Sequence, residues 1–380
     1  MFNKLPFRTI EEIDHCEGKV VLVRASLNVP IDNDLVVNSY RLNRALPTIN
    51  FLLEKGARVV VCGHLGSDGS ASLRPVFSYL SKVLPISFLE QVVGDEVVAR
   101  VSDLNNGEVL MLENLRSHSG EKNNDQEFAQ ELASLADLYV NDAFPASHRQ
   151  HASVVSIADK IPAYAGYNFT HEYIEISKAL EPNQPAFCIL AGAKFDTKLP
   201  LVEKLLDNYT HIFIGGALAN DLLLAKGYEI GTSLVSDISL KGSPLLSDDR
   251  ILSPVDVLVD GPNGKRVVSP NDIYPEERIV DSGPETIRQL EPYIKQASSI
   301  LWNGPLGDYE HGFSEQTLAC ARLVGEAPGH AIVGGGDTVA AIESLKNNHQ
   351  FGFISTAGGA MLTFIERGDL PGIESLRNGL

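Results

Sequence analysis

Three consecutive glycines followed by an acid and a hydroxyl form the stretch whose residue types best suit phosphate chemistry. Residues 331–338 read AIVGGGDT, and the apolar pattern VAAIE follows at 339–343. The pattern predicts a buried strand, a tight turn and a helix start, where free N–H groups and the helix dipole favour an anion. Asp337 suits a magnesium ion that bridges phosphates, and Thr338 can donate to a phosphate oxygen. On its own, the stretch is equally typical of a plain glycine turn with Asp337 as N-cap.

Basic and amide side chains follow the apolar runs in the first half of the chain. These runs are VVLV at 20–23, VVVC at 59–62, VLML at 109–112 and LYV at 138–140. The polar residues after them, or at the start of the first helix, are Arg24, Asn28, Arg41, His64, Arg116, His148 and Arg149. Ligands of open parallel sheets bind beyond the carboxyl ends of strands, and arginine matches phosphate and carboxylate oxygens with two hydrogen bonds. One such arginine is more often a surface residue paired with an acid, but the convergence of several predicts a site for a small polyanion. His151 is more typical of a structural histidine.

Glycine-rich segments take the same position in the second half. They read AGAK at 191–194, GG at 215–216, NGP at 303–305, GGGDT at 334–338 and TAGG at 356–359. Small residues leave room for a flat ring and let main-chain donors reach phosphates. Lys194 and Lys198 are four residues apart, so both can face one pocket, although such a pair is normally solvated. Neither GxxxxGK[ST] nor GxGxxG occurs, which excludes a P-loop enzyme and weakens a dinucleotide site.

Strand and helix patterns alternate along the chain. Its 380 residues favour two domains. Further apolar runs lie at 187–190, 212–214, 255–259, 300–302, 332–333 and 353–354. Such strands, alternating with helices expected at 41–55 and (capped by Asp125) at 126–136, indicate an α/β protein with parallel sheets covered on both faces. One amphipathic stretch runs from 157 to 180, EPNQP at 181–185 marks the domain junction, and 260–281 is typical of a surface excursion.

Composition narrows the classes of partner. Apolar residues make up 44% and charged residues 21% of the chain, as in an ordinary soluble protein. The net charge of −18 argues against nucleic-acid and anionic-membrane partners. No apolar stretch is long enough to span a bilayer, and the N-terminus lacks the apolar core of a secretory signal. The four cysteines lack CxxC spacing, which fits a reducing cytoplasm and not a zinc site.

The motifs, taken together, resemble those of the phosphoglycerate kinase family over nearly the whole chain. In chain order they are RASLNVP at 24–30, HLGS at 64–67, LENLR at 112–116, NDAFPASHR at 141–149, AGAK at 191–194 with Lys198, WNGP at 302–305 with Glu310, GGGDT at 334–338, STAGGA at 355–360 and LPGI at 370–373.

The resemblance implies two doubly wound, Rossmann-like parallel-sheet domains joined by a helix hinge. A phosphoglycerate-binding domain is expected over 1–160, an interdomain helix over 161–182 and a nucleotide-binding domain over 183–365, with the tail 366–380 packing back on the first domain. The implied reaction is reversible: 1,3-bisphosphoglycerate and ADP give 3-phosphoglycerate and ATP, with Mg²⁺ as cofactor. A cytoplasmic monomer that closes at its hinge is expected.

The same resemblance implies the site residues. Phosphoglycerate is expected to bind to Arg24, Ser26, Asn28, Arg41, His64, Arg116 and Arg149. The nucleotide is expected to bind to Gly192, Ala193, Lys194, Lys198, Gly215, Gly216, Asn303, Pro305, Glu310, Gly336, Asp337 and Thr338, with the metal at Asp337. The nucleophile is a carboxylate that is already ionised, so no general base is needed. Stabilisation of the migrating phosphoryl group is therefore assigned to Arg41, Lys198 and the N–H groups near Gly358 and Gly359.

Four residues depart from the family pattern. Ser26 replaces an aspartate, and Ser67 replaces an arginine, which removes one phosphate-binding cation. Arg74 or Arg44 is hypothesised to compensate in part. Asp308 replaces an apolar residue near the nucleoside pocket. Ala357 replaces a glycine, which is harmless only if its φ is negative.

Three other functions stay open at this point. Ser26 and Ser67 favour a non-catalytic relative that senses nucleotide or phosphoglycerate. Ser67 also opens the pocket to a different small carboxylic acid, which would make the chain a kinase with another acceptor. A Rossmann-type dehydrogenase is the third alternative, and the missing GxGxxG counts against it.

Overall fold

The structure is a computed structural model that describes residues 5–192, 198–345 and 350–379. The chain divides into two compact units. Unit 1 comprises Met1–Ile174 and Asp369–Leu380, and unit 2 comprises Glu175–Gly368. The boundary falls within a helix, close to the expected junction.

Unit 1 is built on a six-stranded sheet in which every neighbouring pair is parallel. Its strand order is β5-β6-β4-β1-β7-β8, and β2 and β3 form a separate hairpin. The strands are β1 (Val20–Arg24), β2 (Ile31–Asp32), β3 (Leu35–Val36), β4 (Arg58–Cys62), β5 (Ile86–Leu89), β6 (Val109–Leu112), β7 (Leu138–Asn141) and β8 (Ala163–Ala165). The helices are α1 (Tyr40–Glu54), α2 (Arg74–Leu80), α3 (Asp95–Ser102), α4 (Ser119–Lys122), α5 (Gln126–Ser134) and α6 (Tyr167–Ser177).

The local sequence accounts for these elements. The central strand β1 is buried at all five positions, so its apolar run packs on both faces of the sheet. Helix α1 presents Leu42, Ala45 and Ile49 to the same core. Asp125 caps α5, as predicted, by accepting a hydrogen bond from Phe128 N at 2.8 Å.

Unit 2 repeats the architecture with a second six-stranded parallel sheet, in the order β11-β10-β9-β15-β16-β17. The strands are β9 (Ala186–Leu190), β10 (His211–Ile214), β11 (Ile251–Leu252), β12 (Val257–Gly261), β13 (Gly264–Val268), β14 (Arg278–Ser282), β15 (Ser299–Asn303), β16 (His330–Gly334) and β17 (Phe353–Ile354). The helices are α7 (Leu199–Leu206), α8 (Leu218–Ala225), α9 (Pro284–Gln296), α10 (Glu315–Glu326), α11 (Gly336–Ser344) and α12 (Gly359–Arg367). The final helix, α13 (Pro371–Asn378), belongs to unit 1.

Two expectations about the elements were wrong. The run at 255–259 lies outside the parallel sheet, because β12, β13 and β14 form an antiparallel sheet with its own small core around Val257, Val259 and Val268. The stretch expected to be one helix over 161–182 contains strand β8 before α6 begins, and β8 pairs with β7.

The carboxy-terminal helix is fastened to the loop that follows β7. Gly372 N donates to Ser147 O at 2.9 Å, and Ser375 Oγ donates to Val154 O at 2.9 Å. Across the described residues, no helix is long and apolar enough to cross a membrane.

Candidate functional site

The basic residues predicted to bind phosphoglycerate lie at the carboxyl edge of the unit 1 sheet, and Arg24 and His64 are the first of them. Arg24 is completely buried, and its guanidinium donates to Ser153 Oγ at 3.0 Å, Ala25 O at 2.8 Å and His64 Nδ1 at 2.8 Å. Because every guanidinium nitrogen is bonded within the protein, Arg24 orients His64. This role differs from the substrate contact that we expected for it.

Arg116 and Arg149 add two further positive charges at this edge. Arg116 is buried; its Nη1 donates to Gly66 O at 2.5 Å, and its Nε has no partner. Burial, together with the cations of Arg149 and Arg24, lowers the pKa of Arg116 to about 10. Burial and the same three arginines hold the pKa of His64 far below its usual value. Like charges are therefore gathered here with an unused donor, which favours an anionic ligand.

A buried acid that the sequence did not reveal stabilises this cluster. Glu121 accepts from Ser153 N at 3.0 Å and from Ser153 Oγ at 2.7 Å, and Ser153 Oγ in turn accepts from Arg24. His151 Nδ1 lies 3.5 Å from Glu121 Oε1. These hydrogen bonds and the charge of Arg24 outweigh burial and lower the pKa of Glu121. His151 thus lies beside a buried acid, and its structural role stays a prediction.

Arg41 and Asn28 lie in the same unit and are linked. Arg41 Nη1 donates to Asn28 O at 2.7 Å, and Asn28 Oδ1 accepts from Gly66 N at 3.0 Å. Burial lowers the pKa of Arg41, and Glu172 partly offsets this effect. Gly66 thus connects Asn28 with Arg116, since its carbonyl accepts from Arg116. Ser26, just past the end of β1, is also buried.

The residues near Ser67 do not supply a free replacement for the missing arginine. Ser67 is exposed in the loop after Gly66. Arg74 pairs with Glu90, and its guanidinium carbon lies 5.3 Å from the centroid of the Phe88 ring. Arg44 donates to Asn168 Oδ1 at 3.2 Å and also contacts His171. Both guanidinium groups are therefore already engaged.

In unit 2, the glycine-bearing turns after β9, β10, β15 and β16 meet. A β-carbon on Gly216 would lie 2.9 Å from Pro305 O and 3.0 Å from Gly192 N. One on Gly304 would lie 2.3 Å from Ala191 O. Gly216 and Gly304 also have φ values of 59° and 96°, which favour glycine. The glycines therefore permit the turns to approach one another closely, and the approach of their N–H groups to phosphates stays a prediction.

These turns line a cavity of about 600 Å³. Predicted nucleotide residues at its wall are Gly192, Gly216, Pro305, Glu310 and Asp337. Gly215 supports the wall, since a β-carbon there would meet Phe213 and Leu306, and buried Asn303 ends β15. A cavity of this size with apolar and polar walls suits a small organic ligand.

Lys198 lies beside Gly192, which lines the cavity. It is the N-cap residue of α7, and its Nζ donates to Ala191 O at 3.1 Å. Gly192 has a φ of 135°, which favours glycine, and a β-carbon there would lie 2.3 Å from this Nζ. Burial lowers the pKa of Lys198. Ala193 and Lys194, which were also predicted to bind nucleotide, lie outside the described residues.

The stretch at 331–338 folds into the predicted strand, turn and helix. Helix α11 begins at Gly336, and its N-cap is Gly335 with a φ of 105°, so Asp337 is not the cap. Burial and the nearby carboxylate of Glu310 raise the pKa of Asp337. Thr338 is buried, and its hydroxyl oxygen accepts from Gly304 N at 3.0 Å, which ties this turn to the one after β15.

The N-terminus of α12 offers a second set of main-chain donors. Gly358 is its N-cap with a φ of 51°, and no atom lies within 4 Å of a β-carbon placed on Gly358 or Gly359. Ala357 does not have a positive φ, so the replacement of the family's glycine causes no backbone strain.

Two further carboxylates line the cavity. Burial raises the pKa of Asp281 to about 7, and its side chain accepts from Ser282 N and Gln316 N. Asp308 bonds to Arg278 and His311. Asp281 was missed because it lies within the predicted surface excursion, whereas Asp308 was flagged by its departure from the family pattern.

Comparisons with known proteins agree with this geometry. The sequence profile of the family described as phosphoglycerate kinase matches residues 10–368. The phosphoglycerate kinase of Roseiflexus sp. (strain RS-1) is 41% identical over 392 residues, covering 98% of this chain and 99% of that protein. The structure of phosphoglycerate kinase from Coxiella burnetii is similar with a TM-score of 0.81 and 35% identity, covering 98% of both chains. That of phosphoglycerate kinase from Pyrococcus horikoshii OT3 has a TM-score of 0.86 and 28% identity over 97% of this chain and 98% of the other. These matches confirm the resemblance and the two-domain α/β fold: the chain belongs to the phosphoglycerate kinase family and is a phosphotransferase of that kind.

Proposed function

We propose that unit 1 binds 3-phosphoglycerate or 1,3-bisphosphoglycerate at its cationic edge, and that unit 2 binds ADP or ATP with Mg²⁺ at its glycine-rich edge. The reaction is the reversible transfer of a phosphoryl group from 1,3-bisphosphoglycerate to ADP. Unit 1 thus takes the role expected for residues 1–160 and the tail, and unit 2 that expected for 183–365.

The observation that carries the phosphoglycerate assignment is the state of Arg116. It is buried among like charges, its pKa is lowered to about 10, and its Nε lacks a partner. An anion at this point would relieve the repulsion and accept from the unused N–H. Arg149 is exposed and adds a second cation, while neutral His64 supplies an Nε2–H donor.

The phosphates of the nucleotide are assigned to the donors near Lys198. The N-termini of α11 and α12 present backbone N–H groups at Gly336 and at Gly358 and Gly359. Helix N-termini favour anions, and a partly buried lysine adds a point charge. The apolar part of the cavity is left for the nucleoside.

Asp337 has the properties of a metal ligand. Its carboxylate is half-buried beside Glu310 and forms no ion pair with any described residue. A cation would offset both burial and the neighbouring negative charge. Magnesium at Asp337 would neutralise charge on the phosphate oxygens.

Catalysis is assigned to positioning and positive charge. The acceptor carboxylate of 3-phosphoglycerate is ionised at neutral pH, so no residue has to remove a proton. Arg41, Lys198 and the N–H groups at Gly358 and Gly359 stabilise the phosphoryl group as it moves. A cytoplasmic, monomeric enzyme is proposed with this assignment, supported for the compartment by four free, buried cysteines.

The test is a coupled assay of ADP formation from 3-phosphoglycerate and ATP, applied to Arg149→Ala. Loss of one charged hydrogen bond predicts that the KM for 3-phosphoglycerate rises about tenfold or more, with the KM for ATP little changed. Arg100→Ala, on α3 of the same unit, is the control and should match the wild type. Absence of wild-type turnover would favour the non-catalytic alternative, and turnover with another acid only would favour the second kinase alternative.

A separate measurement tests the metal ligand. Asp337→Asn should weaken the binding of ADP in the presence of Mg²⁺, measured by calorimetry, and leave binding of ADP in EDTA nearly unchanged. Asp249→Asn, an exposed acid of the same unit, serves as the matched control. Equal weakening with and without metal would reject the assignment of Mg²⁺ to Asp337.

A further inference from the structure

The turn that carries Glu310 contributes no buried residue to unit 2. Tyr309–His311 form one 3₁₀ turn between β15 and α10, and none of its residues is buried. The Glu310 side chain is exposed and forms no hydrogen bond or ion pair with any residue that the structure describes. The path of the backbone through the turn therefore determines where the Glu310 carboxylate can lie.

The side chain of Asp308, the residue before the turn, fastens the turn to the antiparallel sheet. Asp308 Oδ2 lies 3.2 Å from Nη1 of Arg278, the first residue of β14, and Asp308 Oδ1 lies 2.8 Å from His311 Nδ1. Asp308 N also donates to Val280 O of the same strand at 2.8 Å. The carboxylate thus links the two ends of the turn to each other and to β14. The apolar residue of the family pattern would retain the main-chain bond but neither side-chain contact.

The turn lies close to the expected metal ligand, Asp337. Burial and the nearby Glu310 carboxylate raise the pKa of Asp337, and burial and the Asp337 carboxylate raise the pKa of Tyr309. All three residues line the unit 2 cavity, together with Asp308. The effect of a charge on a neighbouring pKa falls off with distance, so both residues of the turn must stand near Asp337.

We propose that Asp308 is a positioning residue of the nucleotide site: its ion pair with Arg278 holds the turn so that Glu310 lies beside Asp337 when ADP or ATP binds. Both oxygens of Asp308 are engaged, one with Arg278 and one with His311. Its influence on the nucleotide therefore passes through the turn and not through a direct contact. This inference rests on the nucleotide site proposed for unit 2, to which it adds a residue that the family pattern does not provide.

The direction of change in the KM for ADP distinguishes positioning from direct electrostatics. The pair is partly exposed, at 44% for the Arg278 side chain and 29% for that of Asp308, so its loss should raise the KM about two- to fivefold. Positioning predicts this rise in both Asp308→Val and Arg278→Met, because either change breaks the pair. Direct electrostatics predicts opposite shifts, since loss of an acid favours an anionic nucleotide and loss of a cation disfavours it. Arg288→Met, which removes an ion pair with Glu285 on α9, is the control and should match the wild type.

Two combined variants identify the route of the effect. Asp308→Val together with Arg278→Met should raise the KM for ADP no further than the larger single change, because the pair is already broken. In a Glu310→Gln background, Asp308→Val should have little effect on this KM, because the carboxylate that the turn positions is gone. A purely structural contribution of Asp308 would be the same with and without the Glu310 carboxylate.

The order of the turn can be measured independently of activity. Gly312 N donates to Tyr309 O at 3.0 Å and Phe313 N donates to Asp308 O at 3.1 Å, and hydrogen exchange of both amides should be faster in the two single variants. Unchanged exchange, opposite KM shifts in the single variants, or an effect of Asp308→Val that persists in Glu310→Gln overturns the positioning role and leaves the kinase assignment intact. Failure of the wild type to bind ADP in calorimetry would instead reject the nucleotide site of unit 2, and this role with it.

Discussion

Arg24 donates from a guanidinium nitrogen to His64 Nδ1 across 2.8 Å, and both side chains are buried. A guanidinium only donates hydrogen bonds, so Nδ1 of His64 must accept and its proton must lie on Nε2. The low pKa of His64 keeps the ring neutral. One buried arginine thereby presents a fixed N–H donor at the phosphoglycerate edge.

This relationship predicts that two substitutions of His64 separate binding from stability. His64→Asn keeps an acceptor for Arg24 but loses the Nε2 donor, so the KM for 3-phosphoglycerate should rise about tenfold with little loss of stability. His64→Leu also leaves a buried Arg24 donor unpaired, which should cost a further 1–3 kcal/mol or so. Steady-state kinetics and hydrogen exchange of unit 1 amides measure the two effects. Equal destabilisation by both variants would contradict the tautomer assignment.

Replacement of Ser67 by arginine should increase the affinity for 3-phosphoglycerate. Ser67 is exposed next to Gly66, whose carbonyl accepts from Arg116. Ser67→Arg restores the cation of the family pattern and should lower the KM for 3-phosphoglycerate about tenfold, as expected for one charge-assisted hydrogen bond. Ser78→Arg adds the same charge on α2 and is the control. If both variants lower the KM equally, the effect is general attraction rather than a restored contact.

Arg74 and Arg44 are weaker candidates to replace that cation. Arg74 is paired with Glu90, and Arg44 with Asn168. The KM for 3-phosphoglycerate should therefore be unchanged in Arg74→Ala. A raised KM would show instead that Arg74 leaves Glu90 to compensate for Ser67.

Replacement of Lys198 by alanine should lower kcat. Its Nζ lies beside Gly192 and donates to Ala191 O, within the group of turns assigned to the phosphates. Lys198→Ala should lower kcat more than about tenfold, because the lost charge acts on the phosphoryl group in the transition state. Lys204→Ala removes an exposed lysine of the same helix and should retain wild-type kcat. An unchanged kcat in Lys198→Ala would remove this residue from the catalytic assignment.

The convergence of polar residues could be predicted because it follows from topology. In a parallel sheet, all strands deliver their following residues to one edge, so a run that ends in Arg24 and another followed by His64 must bring these residues together. The glycine turns around Gly216 and Gly304 meet for the same reason. Apolar runs locate the central strands, which are buried on both faces.

The remaining features depend on contacts between distant residues. Glu121 neutralises Arg24 through Ser153, and no local pattern marks an acid in a polar segment as buried. The run at 255–259 contains three valines, which are typical of a sheet strand, but its apolar pattern does not say which sheet it joins. Strand β8 is only three residues long and includes two alanines, so its sequence carries no strand signal.

Asp142 predicts a pH dependence of stability in unit 1. Its Oδ1 accepts from Asn168 N at 2.9 Å and Phe169 N at 3.2 Å at the start of α6, and the side chain is fully buried. Burial raises its pKa to about 7. Between roughly pH 4 and 7, the folded state then binds more protons than the unfolded state. The contribution of Asp142 to the free energy of unfolding is therefore complete at low pH and is lost as the pH rises through this range.

Asp142→Asn cannot ionise and should therefore flatten this part of the profile. The difference in unfolding free energy between wild type and variant should change by about 2–4 kcal/mol across that range, at 1.36 kcal/mol per pKa unit. His64 and His148, whose lowered pKa values act in the opposite direction, are present in both proteins and cancel. Hydrogen exchange of buried amides in β1 and β7 reports on unit 1. Tryptophan fluorescence would report on unit 2 instead, because the single tryptophan, Trp302, lies there. Asp159→Asn is the exposed control, and a profile of Asp142→Asn parallel to that of the wild type would show that Asp142 is ionised in the folded protein.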